Sequence, residues 1–99
     1  MAKYKLTNEA VEDLTVIWNY TFDRWSWYQA DKNYLTLLEN CYKVTSRPES
    51  GKNYATITEN LFGFKAGPNI IFYRKTEENE VMITRILHEQ MDLKNKTSE

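Results

Sequence analysis

One cysteine, one histidine, two prolines and three glycines are all that this 99-residue chain contains of those four residue types. A lone cysteine, Cys41, forms no disulfide within the chain, so nothing points to an oxidising compartment. Cys41 and His88 together fall short of the four ligands of a structural zinc site. The glycines Gly51, Gly63 and Gly67 are scattered, so no glycine-rich loop is available to cradle a phosphate. No apolar run approaches the roughly 18 residues of a membrane span. The opening Met1-Ala2-Lys3-Tyr4-Lys5 leads into no signal-peptide core. Charge of one sign is also missing: 13 Lys and Arg stand against 14 Asp and Glu, a formal net charge of −1. Binding bare nucleic acid needs a concentrated positive field, and this balance argues against it. The expectation is a single cytoplasmic domain over residues 1–99, with no membrane partner.

Aromatic residues are what the chain has in quantity: 3 Trp, 7 Tyr and 4 Phe. Half of them fall early, as Tyr4, Trp18, Tyr20, Phe22, Trp25, Trp27 and Tyr28. A domain this small needs a dense core, and large aromatics contribute the most area per residue. The same crowding suits a partner-binding face.

Residues 1–6 alternate Tyr4 and Leu6 against Lys3 and Lys5, which predicts a short strand. Thr7 is a helix N-cap, with Glu9 in the first turn where the helix dipole favours a negative charge. Leu6 and Val11 stand at the positions of a hydrophobic staple. Ala10, Leu14, Ile17 and Trp18 follow helical spacing, and Val11, Leu14, Trp18, Phe22 and Trp25 extend the stripe. Ser26 and Gln29 match a capping box, so a second helix follows at once, with the stripe Ala30, Tyr34, Leu37, Leu38, Cys41 and Val44. A connection that short makes the pair an antiparallel hairpin. Cys41 lies in the stripe and reads as a small core residue. Pro48 and Gly51 open a loop.

From there the period changes to 2. Leu61–Ala66, Asn69–Lys75 and Glu80–His88 are three strands separated by Gly67-Pro68 and Glu77-Glu78-Asn79, an antiparallel meander. The tail is polar and frayed over 93–99. The expected fold is α+β in the order β-α-α-β-β-β: an N-terminal strand, then an antiparallel helical hairpin packed on an antiparallel sheet. The last two strands are apolar on both sides, Ile71 with Tyr73 against Ile70 with Phe72, and Val81 with Ile83 against Met82 with Ile86. Either a bulge exchanges the faces or the tail folds back over the sheet, or a partner covers the second face.

Chemistry is sparse. No serine sits in a nucleophile-elbow context, and no carboxylate pair stands at an apolar strand end. Arg74, Arg85 and His88 could converge at one end of the sheet, where two guanidinium groups and an imidazole would suit metal-free phosphodiester cleavage. They fit a structural role better, with the arginines paired to carboxylates such as Glu80 or Glu89 and His88 a satisfied structural histidine.

Tyr4-Lys5-Leu6-Thr7-Asn8-Glu9-Ala10 with Asp13-Leu14, Tyr20-Thr21 to Trp25 with Gln29-Ala30, Pro48 and Gly51, Ile71-Phe72-Tyr73-Arg74, and Arg85-Ile86-Leu87-His88 with Met91-Asp92 resemble the ParE toxins. These belong to the RelE/ParE superfamily of type II toxin–antitoxin systems, also called plasmid stabilisation proteins. The resemblance spans nearly the whole chain. It implies the same α+β fold and a bacterial cytoplasmic toxin, without cofactor, that inhibits DNA gyrase. It further implies neutralisation by a co-expressed ParD-type antitoxin in a hetero-oligomer.

The superfamily's other branch, the RelE-like ribosome-dependent mRNA endoribonucleases, uses basic residues and a C-terminal His or Tyr, which would here be Arg74, Arg85 and His88. The near-neutral charge and the eleven residues after His88 favour the branch without nuclease activity. A homologue that only binds antitoxin is the third possibility. The apolar second face and the aromatic helix make Trp18, Phe22, Trp25, Phe72 and Met82 candidate antitoxin contacts. Polar groups around one methionine at the chain's end make Arg85, His88, Met91 and Asp92 candidate target contacts.

Overall fold

In the computed structural model, which describes residues 3–54, 60–77 and 80–88, β1 (Lys3–Leu6) passes into α1 (Asn8–Arg24) at Thr7. The Thr7 side chain accepts the Ala10 N–H at 3.0 Å, the cap expected there. Ser26 does the same for Gln29 at 3.1 Å and starts α2 (Trp27–Ser46) two residues after α1 ends. The helices bury Ala10, Leu14, Ile17 and Thr21 from one, and Ala30, Leu37, Cys41, Val44 and Thr45 from the other. The apolar stripe of α1 is wider than the core beneath it: Val11 and Phe22 remain nearly half exposed and Trp25 is 76% exposed.

A 3-10 turn (Pro48–Ser50) and β2 (Lys52–Asn53) precede β3 (Leu61–Ala66), β4 (Asn69–Glu77) and β5 (Glu80–His88). Two residues are too few to show a period, which is why β2 falls in a stretch expected to be loop. The meander β3-β4-β5 is antiparallel as the sequence predicts. β1 joins it on the far side of β5 in parallel, Tyr4 opposite Val81 and Leu6 opposite Ile83. The sheet is therefore mixed, in the order β1-β5-β4-β3-β2. The tail from Glu89 onward, with Met91, Asp92 and the expected fraying of 93–99, lies outside the described residues.

The helices cover one face, where Ile71, Tyr73, Val81, Ile83 and Ile86 are all at most 1% exposed. Val81 and Ile83 share that face with Ile86 because β5 carries a bulge. Phe72 lies opposite Arg85 but Tyr73 opposite Ile83, which leaves Thr84 as the extra residue. Its hydroxyl donates to the Phe72 carbonyl at 3.2 Å. An extra residue reverses the alternation beyond it, so the bulge explains part of the two-sided apolar pattern. Ile70, Phe72 and Met82 still point away from the helices, half-buried.

Tyr73 ties the loop after α2 to this core. Its hydroxyl donates to the Pro48 carbonyl and accepts the Gly51 N–H at 3.1 Å. A Cβ on Gly51 would lie 2.4 Å from that hydroxyl oxygen, so only glycine allows the approach. Gly67 turns the chain between β3 and β4 at φ 63°, a left-handed conformation that glycine adopts without penalty.

Candidate functional site

The basic groups singled out in the sequence do not meet. Arg74 stands exposed at β4, opposite Leu61 and Met82, on the face away from the helices. Arg85 instead reaches α1. Its Nε donates to Asp13 Oδ2 at 2.8 Å and its Nη2 to Asp13 Oδ1 at 3.0 Å, with Glu9 Oε2 3.8 Å from Nη1. Donating these hydrogen bonds to Asp13 raises the already high guanidinium pKa further, against a smaller opposing effect of burial. His88 lies opposite Asn69 on the helix side, its ring 5.1 Å from that of Tyr20. The structural role considered for Arg85 is thus present, with Asp13 as a partner; Glu89 lies outside the described residues. Glu80 pairs with Lys3 at 3.4 Å. Burial would raise its carboxyl, but hydrogen bonds from Lys3 and Thr76, with the nearby charge of Lys5, outweigh that and hold it below the ordinary value.

Three surfaces stand open among the described residues. The first is an open cleft of about 910 Å³ at the end of the sheet, where Tyr20, Arg24, Trp25, Gln29 and Asn33 face His88. The Arg24 guanidinium sits 4.5 Å over the Tyr20 ring. The second is an apolar groove of about 350 Å³ on the outside of the hairpin, lined by Leu6, Val11, Leu14, Trp18, Asp31 and Tyr34. Trp18 donates from its ring nitrogen to Asp31 at 2.9 Å, which pins one wall, and its ring stacks on Phe22 at 5.3 Å. The two staple residues, Leu6 and Val11, both line this groove.

The third surface is the open face of the sheet. Phe72 packs edge-on against Tyr54 at 5.4 Å, across Gly63, where a Cβ would lie 2.6 Å from the Tyr54 ring. Strand alternation puts Lys3 and Lys5 of β1, Lys65 of β3 and Arg74 of β4 around that centre, and Lys52 lies 5.6 Å over the Tyr54 ring. Within α1, by contrast, Glu9, Glu12, Asp13 and Asp23 face one arginine, Arg24. Glu80 of β5 shares the sheet's open face and pairs with Lys3, so among the described residues that face carries an excess of cationic groups, against an acidic helix.

The candidate antitoxin contacts consequently divide. Trp18 and Phe22 belong to the hairpin's outer side, Trp25 to the cleft, and Phe72 and Met82 to the open sheet face. Of the candidate target contacts, His88 lines the cleft while Arg85 is held by Asp13. Met91 and Asp92 lie outside the described residues. Sequence reasoning missed Asp13 as a partner of Arg85, since 72 residues separate them and no spacing encodes the pair. Tyr54 was missed for the same reason. Cys41 is fully buried, and burial pushes its thiol up to about 12, which fits a core residue without reactivity.

A two-helix hairpin on one face of a five-stranded mixed sheet defines a small α+β domain. The sequence profile of the ParE toxin of the type II toxin-antitoxin system, parDE, matches residues 4–93. Toxin ParE1 of Mycobacterium tuberculosis is 30% identical over 92 residues, covering 93% of this chain and 94% of that one. Toxin ParE1 of Caulobacter vibrioides is 27% identical over the same length and coverage. A solved structure described as the chromosomal ParDE TA system from P. aeruginosa superposes with a TM-score of 0.73 at 19% identity, over 89% of this chain and 96% of that one. The chain belongs to the ParE toxin family of type II toxin–antitoxin systems.

Proposed function

We propose that this toxin acts in the bacterial cytoplasm by binding DNA gyrase and inhibiting it, without catalysis of its own. We propose also that a ParD-type antitoxin neutralises it in a hetero-oligomer. The observation that carries the first reading is the separation of Arg74, Arg85 and His88. A phosphodiesterase needs its cationic groups aimed at one phosphate, whereas here Asp13 occupies the fork of Arg85 and Arg74 projects from the other side of the sheet. Induced expression tests it. The expected result is a DNA-damage response and filamentous cells with intact messenger RNA. Mapped cuts in ribosome-bound messages, lost in His88→Ala, would establish the ribonuclease reading instead, and no growth defect at all would point to a homologue that only binds antitoxin.

The antitoxin reading rests on the groove and the open sheet face. An amphipathic segment that is partly disordered when free would bury its apolar side chains against Val11, Trp18 and Phe22, and against Phe72 and Met82. The lysines and Arg74 around Phe72 favour acidic residues at that segment's rim. In the complex, amide exchange in α1 and in β4 should slow together; exchange unchanged in both would exclude these surfaces. The end of β5 and the segment after it, Arg85 to Asp92, with His88 in the cleft, form the part to which we assign toxicity. Truncation after His88 should abolish growth arrest while leaving a folded chain that copurifies with antitoxin.

A further inference from the structure

The second half of β5 is held in an unusual way. β1 covers the outer edge of β5 only at residues 80–83. Past that point the edge would present unpaired backbone groups, which a sheet normally pairs or covers. Here α1 takes over. The Thr7 N–H donates to the Ile83 carbonyl at 3.1 Å and the Thr7 hydroxyl to the Thr84 carbonyl at 2.8 Å. One and a half turns along the same helix, Asp13 Oδ2 accepts the Ile86 N–H at 2.9 Å while the carboxylate also takes both donors of the Arg85 fork. Three donors from two consecutive residues thus converge on one carboxylate, just past the bulge at Thr84 and two residues before His88.

We propose that Asp13 is a positioning residue for the end of β5. Its carboxylate fixes the strand after the bulge and so the presentation of His88 in the cleft, and Arg85 is the other jaw of this clamp, not a contact to the target. Loss of the bulge, with β5 pairing in unbroken register past Ile83, would turn every side chain after it to the opposite face. Ile86 would then leave the core and His88 would leave the cleft beside Tyr20. Thr7 alone does not prevent this, because its bonds end at Thr84. The clamp also explains a helix residue that is polar yet mostly covered, with a side chain only 13% exposed. The proposal rests on the reading that the end of β5 carries toxicity, and the experiment separates the two.

Amide exchange and growth arrest are measured for the full chain carrying Asp13→Ala, Asp13→Asn or Arg85→Ala, with antitoxin copurification as the check on folding. In Asp13→Ala the Ile86 amide should exchange about tenfold faster or more, with Ile71 unchanged. Growth arrest should weaken while antitoxin is still captured. Asp13→Asn keeps a side-chain oxygen for the Ile86 N–H and should restore part of both the protection and the arrest. Arg85→Ala leaves the Asp13–Ile86 bond in place and should do less than Asp13→Ala. Unchanged Ile86 exchange in Asp13→Ala and Asp13→Asn would overturn the clamp. Arrest lost in Arg85→Ala with Ile86 still protected would overturn it too, by assigning Arg85 to the target. Faster exchange with undiminished arrest in every variant would leave the clamp standing and overturn the reading that toxicity lies at the end of β5.

Discussion

The two faces of the sheet are made from the same strands and treated differently. On the helix side Ile71, Tyr73, Val81, Ile83 and Ile86 are at most 1% exposed. On the other side Ile70, Phe72, Met82 and Leu87 are only half-buried, ringed by Lys3, Lys5, Lys52, Lys65 and Arg74. The first face stabilises the domain; the second holds apolar and cationic groups together that no helix among the described residues covers. Alternation lets neighbouring residues of one strand serve either end, so substitutions one position apart should separate stability from binding.

The largest effect on stability should come from Ile83→Ala, which opens a cavity in a fully buried site and should cost about 2–5 kcal/mol in chemical denaturation. For a domain whose whole stability is on the order of 5–15 kcal/mol, that is a large part of the total. A loss below about 1 kcal/mol would contradict the packing described. Tyr73→Phe comes next. It leaves the ring in the core but strips the Pro48 carbonyl and Gly51 N–H of their partner, for about 1–3 kcal/mol. Near-wild-type denaturation of that variant would show that the loop after α2 does not depend on the hydroxyl.

Across the sheet, Phe72→Ala should lower stability by less than about 1.5 kcal/mol, yet weaken antitoxin capture about tenfold or more. If it instead unfolded the domain while leaving capture intact, the distinction between the faces would collapse. The smallest effect at neutral pH concerns Cys41. Its thiol ionises at about 12 in the folded chain against 9.0 when unperturbed. The unfolded chain therefore releases this proton first as pH rises, and the stability the buried neutral thiol contributes is complete below about 9 and lost between 9 and 12. Denaturation of the wild type and Cys41→Ala should accordingly converge over that interval, while a constant difference would exclude the linkage.

The fold was largely legible because its signals are local. Thr7 and Ser26 cap their helices through atoms three residues away, and strand periods survive in any six residues. What could not be read depends on contacts between distant segments. Nothing near Tyr4 announces that β1 will lie parallel to β5, and nothing near Asp13 announces Arg85. Trp18, Phe22 and Val11 fit one helical stripe with the core residues, yet the sheet is too narrow to cover all of it. Their exposure is a tertiary outcome, and it is what gives the hairpin its outer groove. The bulge at Thr84 was conceivable from the apolar pattern, but its position depends on pairing with β4.

In the proposed function this chain acts by binding, with Arg74 and Arg85 held apart instead of gathered on a phosphate. DNA supercoiling by purified gyrase, with the full chain titrated in, tests that most directly. The predicted result is inhibition that rises with toxin, is relieved by the cognate antitoxin, and is lost on truncation after His88. Undiminished supercoiling, together with cleavage of ribosome-bound messenger RNA by the same preparation, would contradict it.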